Sequence, residues 1–175
     1  DSSNFINKVL EMFELSSIYN VGLNKIDFLV SKQAYVHSLI IYKDNTICLN
    51  CFENNMLIPL IKPLTTFFNS KNLNLSNDKI FNNLNFKIEK FNDNRFHINN
   101  YLNKFKKLRH SQQLEFMILN NKAHQLYLNN VIEYNQIVDY IAKNLFIKKK
   151  IVKFNSFNDI LKYIKFLELK YEINI

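Results

Sequence analysis

Apolar residues recur at helical spacing near both ends of the chain and in short β-branched or aromatic runs between them. Phe5, Ile6, Val9, Leu10 and Phe13 follow steps of one, three and four, the stripe of a half-buried helix over residues 5–17. Ser2 to Asn4 supply the polar start that such a helix needs, and Gly22 marks the turn after it. Ile26 to Val30 and Tyr35 to Tyr42 read as strands. Asp44-Asn45 is a hairpin turn, because Asx residues tolerate positive φ, and Thr46 to Asn50 is the return strand. Residues 69–93 are polar and Asn-rich, a linker composition with one short strand at Phe86 to Ile88. From Ile98 the pattern is helical: Leu102, Phe105 and Leu108, then Leu114, Met117 and Ile118 with Leu126 and Leu128, then Ile137, Tyr140, Ile141 and Leu145. A last helix carries Ile160, Leu161, Ile164 and Leu167, with Asn155 or Ser156 as its cap. The fold class is α+β, with strands in the first part and a four-helix bundle at the end.

Composition narrows the classes. A chain of 175 residues with 47% hydrophobic positions is long enough for a core and excludes disorder. Runs such as Leu39-Ile40-Ile41 stop well short of the ~18 apolar residues of a membrane span. There is no signal-peptide pattern, and the chain opens on Asp1 inside a motif, so the start is expected upstream. One Gly, no Trp and abundant Asn, Lys, Ile and Phe point to a genome rich in A and T. The net charge of +8 follows that drift: apart from Lys104, Lys106, Lys107, Arg109 and the run Lys148-Lys149-Lys150, the lysines are scattered. No nucleic-acid module accompanies them, so neither a nucleic acid nor a membrane is an expected partner.

Three groups of residues invite chemistry. Asn7, Lys8 and Glu11 fall on one helix face opposite the apolar stripe, so an amide, an ammonium and a carboxylate share one patch. Ser, Asn and Lys near a helix start suit a phosphate, and a carboxylate one turn on suits a hard divalent cation; the plain alternative is a solvated helix face. Cys48 and Cys51 form a C-x-x-C, but no His offers the spacing of a second zinc pair, and Cys48 sits in a strand rather than at a helix start. Both are read as reduced structural thiols. His37, on the Tyr35 to Tyr42 strand, is read as a packed or interface residue.

The chain also resembles a known family. Asp1 to Glu11 (DSSNFINKVLE) is similar to the segment N-S-A-T-x-M-N-K-G-L-E of the 1-deoxy-D-xylulose 5-phosphate reductoisomerases. Ile26 to Ser38 is similar to that family's I-E-V-x-I-H-P-Q-S-I-I-H-S, and Tyr42 to Pro59 to F-x-D-G-S-V-L-A-Q-L-G-x-P-D-M-x-x-P. Asn94-Arg95-Phe96 stands where the family has D-R-F/Y-P, and Phe116 to Ile137 tracks L-N-A-A-N-E-x-A-V-x-A-F-L-x-x-x-I-x-F-x-D-I. The matches are collinear and cover the second half of that enzyme.

The resemblance implies an enzyme of non-mevalonate isoprenoid biosynthesis that converts 1-deoxy-D-xylulose 5-phosphate to 2-C-methyl-D-erythritol 4-phosphate by metal-assisted rearrangement and NADPH reduction. It implies that residues 1–68 are the C-terminal part of a catalytic α/β domain with a dimer-forming sheet, 69–97 an extended linker and 98–175 a C-terminal helical domain. Glu11 matches a carboxylate ligand of a divalent metal, magnesium or manganese, whose other two ligands are expected upstream. Lys8 and Glu11 are the catalytic candidates, and Ser2, Asn7, Lys8 and Met56 the substrate-binding ones. No residue is assigned to NADPH, because no Gly-rich phosphate loop is present. The implied partners are a phosphorylated sugar and a second copy in a homodimer, in the cytoplasm of a reduced bacterium or the stroma of an apicoplast. Two departures stand out: Ser31-Lys32 replaces His-Pro, and Phe52, Asn54, Asn55 and Leu57 replace the Gly, Pro, Asp and Arg of the substrate loop. Retention of Ser2, Asn7, Lys8 and Glu11 favours a surviving enzyme; the alternatives are a degenerate dimeric paralogue and an unrelated basic helical binding module.

Overall fold

The computed structural model describes residues 2–32, 34–53, 55, 57–67, 87–91, 95–147 and 151–172. They divide into two compact units, Asp1–Phe28 with Asn92–Ile175, and Leu29–Phe91. No helix among the described residues is long and apolar enough to cross a membrane.

The first unit is helical. A 3₁₀ turn, Ser2–Asn4, leads into α1 (Ile6–Tyr19), which buries Ile6, Val9, Met12 and Phe13. Phe5, expected inside the helix, precedes it in a left-handed conformation at φ 62. Its ring stacks on Phe28 and meets Phe96 edge-on at 4.7 Å, contacts that outweigh the backbone strain of a non-glycine residue at positive φ. The turn expected at Gly22 is made instead by Asn20, left-handed at φ 51, where the Val21 N–H donates to the Ser16 carbonyl at 3.2 Å and closes α1. Gly22 is extended, at φ −61.

Among the described residues this unit has four further α-helices, α3 (Leu102–Phe105), α4 (His110–Leu128), α5 (Gln136–Leu145) and α6 (Phe157–Lys170), numbered after α2 (Leu57–Phe67) of the second unit. Phe116 of α4 is the hub. It receives Phe13 of α1 and Phe105 of α3 edge-on at 5.4 and 5.0 Å, so aromatic packing fastens α1 to the later helices. Around it Ile98, Leu119, Ile137, Ile141, Leu145 and Leu167 are fully buried. Along α4 the observed buried face differs from the expected stripe. Met117 and Leu128 are exposed, whereas Ser111, Gln113, Glu115 and Asn120 are buried; Ser111 accepts from the Val152 N–H, Gln113 donates to the Leu108 carbonyl and Glu115 accepts from Lys170 and Tyr171, bonds that periodicity does not anticipate.

The second unit holds two antiparallel ribbons and one helix. β1 (Leu29–Ser31) pairs with β4 (Ile88–Lys90), Val30 opposite Glu89; β2 (Val36–Ile41) pairs with β3 (Ile47–Cys51), Leu39 opposite Leu49, with an irregularity between Val36 and Ser38. The hairpin turn lies at Asp44-Asn45, with Asn45 at φ 64 and Asp44 accepting from both the N–H and the hydroxyl of Thr46. Those bonds hold the Asp44 carboxyl below the ordinary aspartate range, the Thr46 hydroxyl contributing most. The strand expected from Ile26 shrinks to Leu29–Ser31, since Asp27 accepts from the Phe28 N–H and from Lys106 at 3.0 Å, and the Phe28 ring is taken by Phe5. The loop expected over residues 52–60 gives way at its end to α2 (Leu57–Phe67). Of its two prolines, Pro59 falls in the first turn, where a missing N–H costs nothing, while Pro63 lies inside. Asn55 Oδ1 accepts from the Leu57 N–H at 3.0 Å and starts the helix. Most of the expected linker lies outside the described residues; residues 87–91 within it carry β4.

Candidate functional site

Helical geometry brings Asn7, Lys8 and Glu11 into one hydrogen-bonded group on α1. Asn7 Nδ2 donates to Glu11 Oε1 at 2.7 Å, and Lys8 Nζ reaches both carboxylate oxygens, at 3.0 and 2.8 Å. Lys8 and Glu11 side chains are 47% and 42% exposed, so the ammonium and carboxylate are open to a ligand. An exposed pair of this kind is worth about 0–1 kcal/mol and is readily exchanged for another partner. The first turn of α1 holds no acidic residue, which leaves the positive end of the helix dipole uncompensated.

Asn4 ends the turn that precedes α1. Its side chain is buried, its Oδ1 accepts from the Ile6 N–H at 3.1 Å, and its Nδ2 has no protein acceptor. Ser2 lies in the turn before it, and only its backbone is described. Met56 lies outside the described residues. Arg95-Phe96 does meet the start of α1, through the contact of Phe96 with Phe5, so segments far apart in sequence converge there. Ser31 ends β1 and pairs with Ile88, and Phe52 stacks on His37 with ring centroids 3.5 Å apart. Cys48 is exposed and Cys51 half-buried, and both are free thiols.

A divalent cation needs hard oxygen donors. Among the described residues no group of three His, Cys, Asp or Glu side chains is placed to hold one. Both Glu11 carboxylate oxygens already face a cation, the Lys8 ammonium.

Two polar clusters that spacing did not single out lie in the same unit. Glu115, nearly fully buried on α4, accepts from Lys170 Nζ at 2.9 Å and Tyr171 Oη at 2.7 Å at the end of α6. Burial first, and then the bond to Glu115, push the Tyr171 phenol up to about 12. His97 Nδ1 lies 2.7 Å from Asp139 Oδ2, and the bond between Asp139 and the Tyr101 hydroxyl raises that phenol too. Partners more than forty residues apart leave no periodic signal.

The mixed helix and sheet architecture has a solved counterpart of similar fold. A solved structure from Zymomonas mobilis, a 1-deoxy-D-xylulose 5-phosphate reductoisomerase in complex with NADPH, superposes with a TM-score of 0.75 over 97% of this chain and 44% of that one, at 19% identity. No family model matches the chain. Curated relatives of that same name do: it is 29% identical over 149 residues to the Pelagibacter ubique protein and 32% identical over 143 residues to the Clostridium novyi protein. The chain is therefore a homologue of the 1-deoxy-D-xylulose 5-phosphate reductoisomerases, corresponding to their C-terminal part. It covers 37% of the length of each of these two relatives, which in turn match 82% of it.

Proposed function

We propose that this chain forms part of a working reductoisomerase that converts 1-deoxy-D-xylulose 5-phosphate to 2-C-methyl-D-erythritol 4-phosphate with NADPH. The observation that carries the reading is the Asn7, Lys8 and Glu11 group, built on the first two turns of α1 in a homologue of enzymes with that name. The helix N-terminus, Lys8, Asn7 and Ser2 offer donors to a phosphate, and the weak Lys8–Glu11 pair lets the ammonium turn from carboxylate to ligand. Glu11 would be one ligand of a magnesium or manganese ion, which when bound polarises a carbonyl oxygen and steadies developing negative charge. Asn7 would hold the Glu11 carboxylate in place through its bond to Oε1, and Lys8 would orient the anionic substrate. Met56, matched to the family's substrate loop, is the remaining substrate-binding candidate of this reading. With one glycine in 175 residues the chain has no Gly-rich loop for the nicotinamide nucleotide, whose binding falls to other residues of the complete protein.

In the domain scheme that accompanies this reading, residues 1–68 belong to the catalytic domain, 69–97 to a linker and 98–175 to a helical bundle, with the β2–β3 hairpin pairing two subunits. The bacterial cytoplasm or a plastid stroma would supply substrate and cofactor.

The test is Glu11→Gln in the complete protein. It keeps the shape and removes the charge, so turnover should fall by at least ~100-fold, the scale of losing one electrostatic catalytic group. Lys8→Ala should chiefly raise KM, as loss of a contact made in ground and transition states alike does. Metal-dependent turnover unchanged by Glu11→Gln would remove α1 from the active site and favour a non-catalytic dimeric paralogue, the reading to which Ser31-Lys32 already points. Residues 1–175 alone should not oxidise NADPH with the substrate, having neither a complete ligand set among the described residues nor a nucleotide loop.

A further inference from the structure

The first unit carries a groove of about 1100 Å³ on a face that the proposed chemistry does not use. Its walls are the C-terminal half of α1, the first turns of α4 and the segment 151–155 that precedes α6. Ile18, Met117, Ile151 and Val152 are exposed along it, at 73%, 48%, 41% and 38%, above a buried floor of Phe13 and Leu108. The rim is basic. Lys107, Arg109, His110 and Lys153 are exposed and make no ion pair among the described residues, Lys106 is matched by Asp27, and Glu14 is the one acidic residue of the lining.

We infer that this groove docks an acidic amphipathic helix of a partner protein. An apolar floor between unneutralised cations asks for a ligand with an apolar stripe and negative flanks, and an open trough at the top of the small-ligand size range suits a helix face better than an enclosed molecule. Met117 adds an adaptable side chain of the kind found on peptide-binding surfaces. A second copy of the chain, with its own net charge of +8, is a poor electrostatic match. A bilayer is flat, and the apolar side chains here line a concavity.

The probe is a fluorescein-labelled Leu/Glu peptide with leucines at i, i+3, i+4 and i+7, titrated by anisotropy into the full-length protein at low and high salt. Saturable, salt-weakened binding is expected, with no binding of the Leu/Lys counterpart or of a Leu/Glu peptide of scrambled spacing. K107E/R109E/K153E should weaken the complex by at least about tenfold through like-charge contact, and M117S should weaken it through the exposed apolar wall with unchanged circular dichroism. These positions are exposed, so both variants test binding rather than folding. Absence of binding, equal binding of either control peptide, or indifference to both variants would overturn the inference. Capture by phosphatidylglycerol vesicles that is lost in the same variants would replace it with a membrane site.

Discussion

Glu115 is a carboxylate with 3% of its side chain exposed, held by an ammonium and a phenol that arrive from the far end of α6. A buried charge stripped of its partners is costly by several kcal/mol, so Glu115 makes the seating of the last turn of α6 close to all-or-none. The pH response follows. The Tyr171 phenol is raised to about 12, which means the folded state keeps a proton that the unfolded chain releases near pH ~10. Its contribution is complete below that point and is lost as pH rises toward 12. Urea denaturation at pH 9 and pH 11 should therefore show a steeper loss in the parent chain than in Tyr171→Phe, which should itself be about 1–3 kcal/mol less stable at pH 9. Equal slopes in the two proteins would refute the assignment. Residues such as Glu115 were illegible in the sequence because their partners lie fifty-five residues away. Asn7, Lys8 and Glu11 were legible for the opposite reason, since three- and four-residue steps on one helix fix neighbours without any knowledge of the fold.

At the scale of elements, the hairpin turn at Asp44-Asn45 and the cap of α6 were readable, whereas the turn after α1 and the whole of α2 were not. Ser156 caps α6, its hydroxyl accepting from the Asp159 N–H at 3.2 Å while Asp159 returns bonds to the N–H groups of Asn155 and Ser156 at 3.0 Å. The cap was legible as Asn155 or Ser156 before an apolar stripe, while the return bonds from Asp159 were not singled out. Ser156→Ala should cost about 1 kcal/mol. The bonds from Asn155 and Ser156 hold the Asp159 carboxyl below its usual range, so this contribution is present above the ordinary aspartate pKa and fades as the solution is acidified through it. A melting series from pH 7 to pH 3 in which parent and Asp159→Asn converge would bear this out. α2 was missed because Phe52 to Pro59 was taken with the family's substrate loop, although a first-turn proline such as Pro59 is compatible with a helix. The strand at Leu29–Ser31 was read too long because Phe28 carries β-forming character into a packing role.

Taken whole, the molecule distributes its burial unevenly. Every fully buried apolar side chain among the described residues belongs to the first unit; Leu29–Phe91 has none, and it exposes Leu57, Leu60, Leu64 and Phe67 along α2 and Ile40, Ile41 and Ile47 on the hairpin. Two-stranded ribbons with uncovered faces are marginal by themselves. Residues 29–91 expressed alone should give the circular dichroism of an unfolded chain, and a cooperative melt from that piece would contradict this. In the intact protein the same surfaces should be covered by other protein, so light scattering should report a dimer or higher species; a clean monomer at high concentration would count against pairing through the hairpin. The strands and the turn of that hairpin could be read from residues alone. Its lack of a core could not, because alternation says which residues are apolar and not whether anything packs on them.

Asn20, Asn45 and Asn130 stand left-handed at φ 51, 64 and 56, and the chain's one glycine is not among them. Asn20 and Asn130 do the same task, ending α1 and α4 beneath the N–H groups of Val21 and Val131, which reach back to Ser16 and Leu126. Glycine would hold those angles without the contact between Cβ and carbonyl that any other L-residue suffers. If the drift toward A and T removed glycine codons, as the composition indicates, the base content of the genome has been written into the backbone as small, separate strains. Being far apart, they should add. Replacing all three by glycine should raise the melting temperature by several degrees, at about 2–4 °C for each kcal/mol recovered in a chain of this size. A nucleotide bias would then be measurable as heat tolerance.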